Sequence, residues 1–176
     1  FIATGTLTSL SEQELVDCDH LSMGCNGGSM STAFLWYRAN KTEEAQYTYT
    51  AKNGTCKMTD YSELYNSTGE STITAGSSSA LMASIEIGPT SVAIEADKMV
   101  FQGHTSGILN STKCGTSRDH GVLSVGYGTQ DGQAYYLVKN SWGTSWGQAG
   151  YVQIANNGDG DGICGIQMGP LYPESN

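Results

Sequence analysis

The stretch Asp119–Tyr151 constrains this chain more than any other. It reads DHGVLSVGYG, a short polar turn, YYLVKNSWG, TSWG and then GY. Two apolar, strand-like runs flank TQDGQ (Thr129–Gln133), and Asp131-Gly132 is a turn signal, so the segment predicts a β-hairpin. A hairpin sets the start of one strand beside the end of the next. His120 opens the first run and Asn140 closes the second, twenty residues on, so the pairing makes them neighbours. A carboxamide oxygen can hold one ring nitrogen of an imidazole and leave the other facing a thiol, which is two thirds of a Cys-His-Asn set. A lone His beside a strand is ordinarily a surface or satisfied core residue; the pair at this spacing shifts the reading toward catalysis. Trp142 and Trp146 follow in Gly-rich turns. An indole over the His–Asn hydrogen bond would exclude water and strengthen it.

The remaining sequence narrows the class. A chain of 176 residues makes one compact domain or two small lobes sharing a cleft. With a net charge of −9 and only 8 Lys and Arg, neither nucleic acid nor an acidic membrane surface is an expected partner. An acidic chain repels itself less in an acidic compartment. No apolar run reaches membrane-spanning length. The chain opens on Phe1 in mid-pattern, so we expect a fragment or processed piece, and a missing secretory signal carries no weight. The 5 Cys are an odd count, and no C-x-x-C spacing suggests zinc. Sequons at Asn40, Asn53, Asn66 and Asn110 lean toward a secretory route, where disulfides also form. Asn157–Gly162 (NGDGDG) resembles the front of a calcium loop, but Met168 stands where the closing Glu would be needed, so we read a surface hairpin tip.

In order along the chain, Ser11–Glu14 reads as a capping box opening a short helix to Cys18. Gly24–Gly28 is a turn. Ser29–Asn40 looks helical through Ala33, Phe34 and Tyr37. Lys41–Ser79 is polar and read as loops around Cys56. Leu81, Met82 and Ile85 mark a short helix ending at Gly88-Pro89. Thr90–Ala96 begins a Gly-rich antiparallel sheet that continues through GVLSVGYG, YYLVK and GYVQIA.

DHGV, NSWGTSWGQAGY, GCNGG and SEQELVDC together resemble papain-like cysteine peptidases, most closely the cathepsin L branch. The similarity covers nearly the whole chain. It implies an α+β fold of two lobes: the remainder of a helical left lobe over residues 1–78 and a β-barrel-like right lobe over 79–176. It implies a cysteine endopeptidase with His120 as base, Asn140 as its orienting group and Trp142 as a shield, and no metal or organic cofactor. In that family the nucleophile lies far upstream of the His, about 10 to 30 residues before Phe1 on this numbering. The nucleophile is thus expected outside this chain, which alone should be inactive. Cys25 is tempting as the nucleophile but sits in the motif whose Cys forms a disulfide. By the same resemblance Cys18 pairs with Cys56 and Cys114 with Cys164, and Cys25 is left unpaired because its partner precedes Phe1.

The resemblance also assigns substrate contacts. Gly28, with Gly27 beside it, would hydrogen-bond an extended peptide as an added strand. Met30, Ala93 and Gly121 would wall the pocket for the second residue before the cut, with Gly169 at its base, Ser29 at the rim and Asp119 alongside. These walls carry no charge, so Leu or Phe is expected there and Arg disfavoured. No His pair suggesting an occluding loop lies between Gly28 and Cys56, which favours endopeptidase action. Implied partners are peptide substrates, the enzyme's own propeptide and cystatin-type inhibitors, acting on a monomer in a lysosomal or extracellular setting. Two alternatives stay open: a non-catalytic or Ser-substituted homologue, and a β-rich binding module in which the Gly-Gly and Trp turns are scaffold.

Overall fold

The computed structural model describes residues 5–37, 42–58 and 67–175. Two compact units divide the chain: Phe1–Ser71 with Pro173–Asn176, and Thr72–Tyr172. The sequence predicts a boundary at 78/79; the compact units divide at 71/72, and residues 173–176 belong to the first.

The first unit holds helices α1 (Glu12–Cys18) and α2 (Met30–Trp36), with a 3-10 turn at Gly24–Asn26 between them. Ser11 caps α1, its Oγ accepting from the Glu14 N–H at 3.0 Å. The expected reciprocal bond of a capping box is absent. The Ser11 N–H donates instead to the Thr42 carbonyl at 2.8 Å, and Glu14 Oε2 accepts from the Thr42 N–H at 2.7 Å. A buried Glu14 therefore ties α1 to the segment after α2 rather than to its own cap. The Cys18–Cys56 disulfide closes the same unit. The end of the expected Ser29–Asn40 helix, and the sequons at Asn40 and Asn66, lie outside the described residues.

The second unit opens with α3 (Ser78–Ile87), capped by Ser77 and stopped at Gly88. Strands β2 (Thr90–Ile94), β4 (His120–Gln130), β5 (Gln133–Lys139) and β6 (Tyr151–Ala155) follow the apolar runs of the sequence. Three strands were not expected: β1 (Ser67–Thr72), β3 (Ile108–Leu109) and β7 (Leu171–Ser175). A short α4 (Met99–Gln102) precedes β3. The reading of residues 41–79 as loops is thus corrected by β1, while the Ser77–Ser79 run, a linker or helix start by sequence, caps and opens α3. The sheet order is β1-β7-β2-β4-β5-β6-β3. β2–β4, β2–β7, β4–β5 and β5–β6 run antiparallel, while β3 joins β6 in parallel.

The core of this unit lies where α3 and α4 cover the sheet. Leu81, Ile94, Phe101, Tyr136, Val138 and Ile154 are fully buried there. Alternation places Val122 and Ser124 of β4 inward and leaves Gly121 exposed, as period-2 strands require. The Cys114–Cys164 disulfide sits in this core. Buried Gln167 anchors the NGDGDG loop: its Nε2 donates to the carbonyls of Gly158 and Gly160, and its Oε1 accepts from the Tyr136 hydroxyl at 3.0 Å. Asp159 Oδ1 accepts the Ser78 N–H at the start of α3. That carboxylate serves a helix end. The loop is exposed, as expected of a surface tip, but it leads from β6 into a 3-10 turn at Ile163–Gly165 and joins no paired strands, which corrects the hairpin part of the reading.

Candidate active site

The β4–β5 hairpin turns at Asp131-Gly132, both with positive φ (52° and 82°), the conformation that an Asp-Gly pair adopts readily. From that turn the register runs Gln130↔Gln133 to Gly126↔Leu137, then shifts by one, to Ser124↔Val138 and Leu123↔Lys139. Val125 is the extra residue of a β-bulge. Extended one step, the shifted register sets Val122 opposite Asn140. His120, Val122 and Ser124 then share a face with Asn140, Val138 and Tyr136. Without the extra residue, His120 would point to the opposite face from Asn140, because a one-residue slip inverts every side chain.

The outcome is a hydrogen bond of 2.8 Å between His120 Nε2 and Asn140 Oδ1. Asn140 is buried, and its Oδ1 also accepts from the Ser141 N–H at 2.8 Å. With Oδ1 as acceptor, Nε2 carries the proton as donor, and Nδ1 is left as the ring's acceptor. His120 is also fixed from its other side, since it pairs with Ile94 of β2 in the ladder.

Trp142 lies against His120 with ring centroids 5.1 Å apart and planes tilted by 33°. Three further aromatic groups support it. Phe101 and Trp146 meet Trp142 edge-on at 5.5 and 5.3 Å, and Trp146 packs on Phe101 at 5.0 Å. The Trp146 indole N–H donates to the Gln102 carbonyl at 3.0 Å, which ties the Trp turn to the end of α4. His104 adds its ring beside Trp146 at 6.4 Å. Its Nε2 is buried without a partner among the described residues, and burial, against a backbone bond to Gly107, holds its pKa below the usual 6.5. The sequence singles out Trp142 and Trp146 but not Phe101 or His104.

The proposed substrate contacts fall in both units. In the first, Gly27, Gly28, Ser29 and Met30 line a concavity of about 280 Å³ together with Leu15, Val16, Asp19, Ser22, Gly24 and Ala33. Gly28 is required by packing, since a β-carbon there would lie 2.6 Å from Ser22 Oγ. Cys25, in the adjoining 3-10 turn, is a free and exposed thiol.

In the second unit Ala93 and Gly121 are ladder partners. Asp119 is pinned to the end of β2: its N–H donates to the Ile94 carbonyl at 2.9 Å and its Oδ1 accepts from Ala96 N–H at 2.7 Å. Gly169 lies under Arg118, whose Nη1 would be 2.9 Å from a β-carbon at that position. Arg118 is not among the residues expected from the sequence. Among the described residues no group of three or more His, Cys, Asp and Glu side chains converges as a metal site would need, and no helix is long and apolar enough to cross a membrane.

Comparison with known proteins accords with this architecture. The family model described as papain family cysteine protease matches residues 1–174. Digestive cysteine proteinase 2 of Homarus americanus is 43% identical over 179 residues, covering 98% of this chain and 55% of the lobster protein. Among solved structures, the bromelain protease of Ananas comosus in complex with the E64 inhibitor superposes with a TM-score of 0.92 at 37% identity, covering 99% of this chain and 82% of that one. The proform of a ragweed pollen allergen, the Amb a 11 cysteine protease, gives 0.93 at 34% identity, with 99% and 49% covered. The chain spans about half the length of the curated relatives it matches. With an α+β fold shared with these enzymes and a family match along almost its full length, the chain belongs to the papain family of cysteine proteases.

Proposed function

We propose that this chain supplies the base and its orienting group to a Cys-His-Asn endopeptidase whose nucleophile lies upstream of Phe1 in the full-length protein. The observation that carries the reading is the 2.8 Å bond between His120 Nε2 and Asn140 Oδ1 beside Trp142. The Cys inventory supports it too: four of the 5 Cys are in disulfides, and the fifth, Cys25, belongs to the GCNGG turn.

The chemistry follows from the ring's orientation. Asn140 occupies Nε2, so the nucleophile's proton passes to Nδ1, giving a thiolate beside an imidazolium. The thiolate attacks the peptide carbonyl, and the Nδ1 proton goes to the leaving amine. Water, deprotonated by Nδ1, then cleaves the acyl-enzyme. Asn140 keeps the imidazole aimed through these transfers. Trp142 limits water at the Nε2 bond, which strengthens it. Gly27 and Gly28 offer backbone to an extended substrate, with Ser29 and Asp119 at the margin of the site. By the same resemblance Met30 of the first unit, and Ala93, Gly121 and Gly169 of the second, are assigned to the second residue before the cut; none carries a charge, which favours Leu or Phe there. The two disulfides, and exposed sequons at Asn53 and Asn110, fit an oxidising secretory route ending in a lysosomal or extracellular compartment. A propeptide and cystatin-type inhibitors are the proposed macromolecular partners, and the enzyme acts as a monomer.

The test compares purified residues 1–176 with the full-length protein on fluorogenic peptides carrying Leu or Phe at the second position. The shorter chain should give no thiol-dependent turnover, and the full-length protein should cleave. Turnover by residues 1–176 would place the nucleophile within them and overturn the assignment. A folded full-length protein without thiol-dependent activity would mark a non-catalytic homologue.

A further inference from the structure

Among the described residues both ion pairs are made by Lys98, one to Glu95 and one to Asp97. Arg118 makes none, although the chain carries 17 acidic against 8 basic side chains. The neighbouring Asp119 carboxylate is bound to the Ala96 N–H. Two close approaches fix the path of the Arg118 side chain. Its Cγ would lie 3.4 Å from a β-carbon on Gly165, and its Nη1 2.9 Å from one on Gly169. The stem therefore runs over one glycine and the guanidinium lies over the other. Both glycines leave room for it, and the head stays exposed.

We infer that Arg118 is a specificity-determining residue, whose guanidinium receives the carboxylate of a Glu or Asp two residues before the cut. The inference rests on the assignment of Gly169 to the base of that pocket. The residues assigned to the walls and base, Met30, Ala93, Gly121 and Gly169, carry no charge, so none of them competes for the guanidinium. A planar fork of N–H donors matches a carboxylate in two parallel bonds. Leu and Phe still gain from burial against Ala93, but an acidic side chain gains where its isosteric amide does not. A cationic side chain meets a like charge and is excluded. Because the guanidinium is exposed, the gain is that of a solvent-screened pair.

The experiment uses the full-length protein and three peptides that differ only at the second position: Leu, Glu and Gln. At low ionic strength kcat/KM for Glu should exceed that for Gln by about two- to fivefold, the range of exposed ion pairs. The ratio should fall toward one as salt is raised. Arg118→Met should bring it to one at low salt, and Arg118→Lys should keep part of it, with Leu cleavage as the reference for each variant. A wild-type ratio of one or below, or a ratio unchanged in Arg118→Met, overturns the inference while leaving the peptidase reading intact. If none of the three peptides is cleaved, the peptidase reading fails and the inference with it.

Discussion

The His120 imidazole and the Trp142 indole lie 5.1 Å apart, centroid to centroid, so the ring bonded to Asn140 is also covered by an aromatic face. Trp142 itself is 38% exposed, which makes it a lid at the surface rather than part of the core. The hydrogen bond to His120 and the cover over it thus come from different residues, and substitutions can separate the two.

In the full-length protein, Asn140→Ala should reduce kcat by less than His120→Ala does. Removing one orienting bond leaves a base that is mobile but present. The comparison needs kcat at saturating peptide for both variants, with near-ultraviolet circular dichroism to show retained packing. Equal losses would mean that orienting His120 is not the task of Asn140.

His104 should make stability fall in mild acid. Desolvation dominates its environment and holds its pKa below 6.5, while the bond to the Gly107 backbone raises it. Of the charged groups on neighbouring segments, Glu95, Asp97 and Lys98 pair with one another, and Lys113 is exposed. The unfolded chain therefore binds the proton first as pH falls. The contribution is complete above about pH 6.5, declines below it and is lost once pH passes under the folded pKa. Thermal unfolding of wild type and His104→Gln between pH 8 and 4 (roughly the span over which His titrates) should show the steeper acid loss in wild type. Parallel curves would rule His104 out as a source of that loss.

Gly28→Ala should destabilise the first unit by about 1–3 kcal/mol, the usual cost of overpacking. The new methyl would lie 2.6 Å from Ser22 Oγ and 2.8 Å from Ser22 Cβ. Ser22 cannot easily give way, because its hydroxyl donates to Asp19 Oδ2 at 2.6 Å. Adding Ser22→Gly should recover part of the loss, so the double variant should be more stable than the two single effects predict. Additive midpoints in denaturant would show that the two positions do not collide.

The hairpin, and with it the meeting of His120 and Asn140, could be read from GVLSVGYG, TQDGQ and YYLVK because strand pattern and turn chemistry agree there. The bulge at Val125 interrupts no turn signal and leaves only Gly126, inside an apolar run, as its trace in the sequence. Strand β7 escaped because Leu171–Ser175 includes Pro173 and lacks alternation; at two residues, β3 is too short to carry a period. Tertiary partners decided the rest. Glu14 fits a capping box by spacing, but the Thr42 N–H, 28 residues away, offers its carboxylate a buried donor. Arg118 lies over Gly165 and Gly169 by a side-chain path that no sequence spacing encodes.

The return of residues 173–176 to the first unit has a consequence for synthesis. Strand β1 is hydrogen-bonded in the sheet to β7, and Ser71 Oγ donates to the Glu174 carboxylate. A ribosome delivers Ser71 about 100 residues before Pro173, an interval of about 5–20 s at ordinary elongation rates. Through that interval the amino-terminal unit has no closing strand, and β1 is an open edge available to any passing strand.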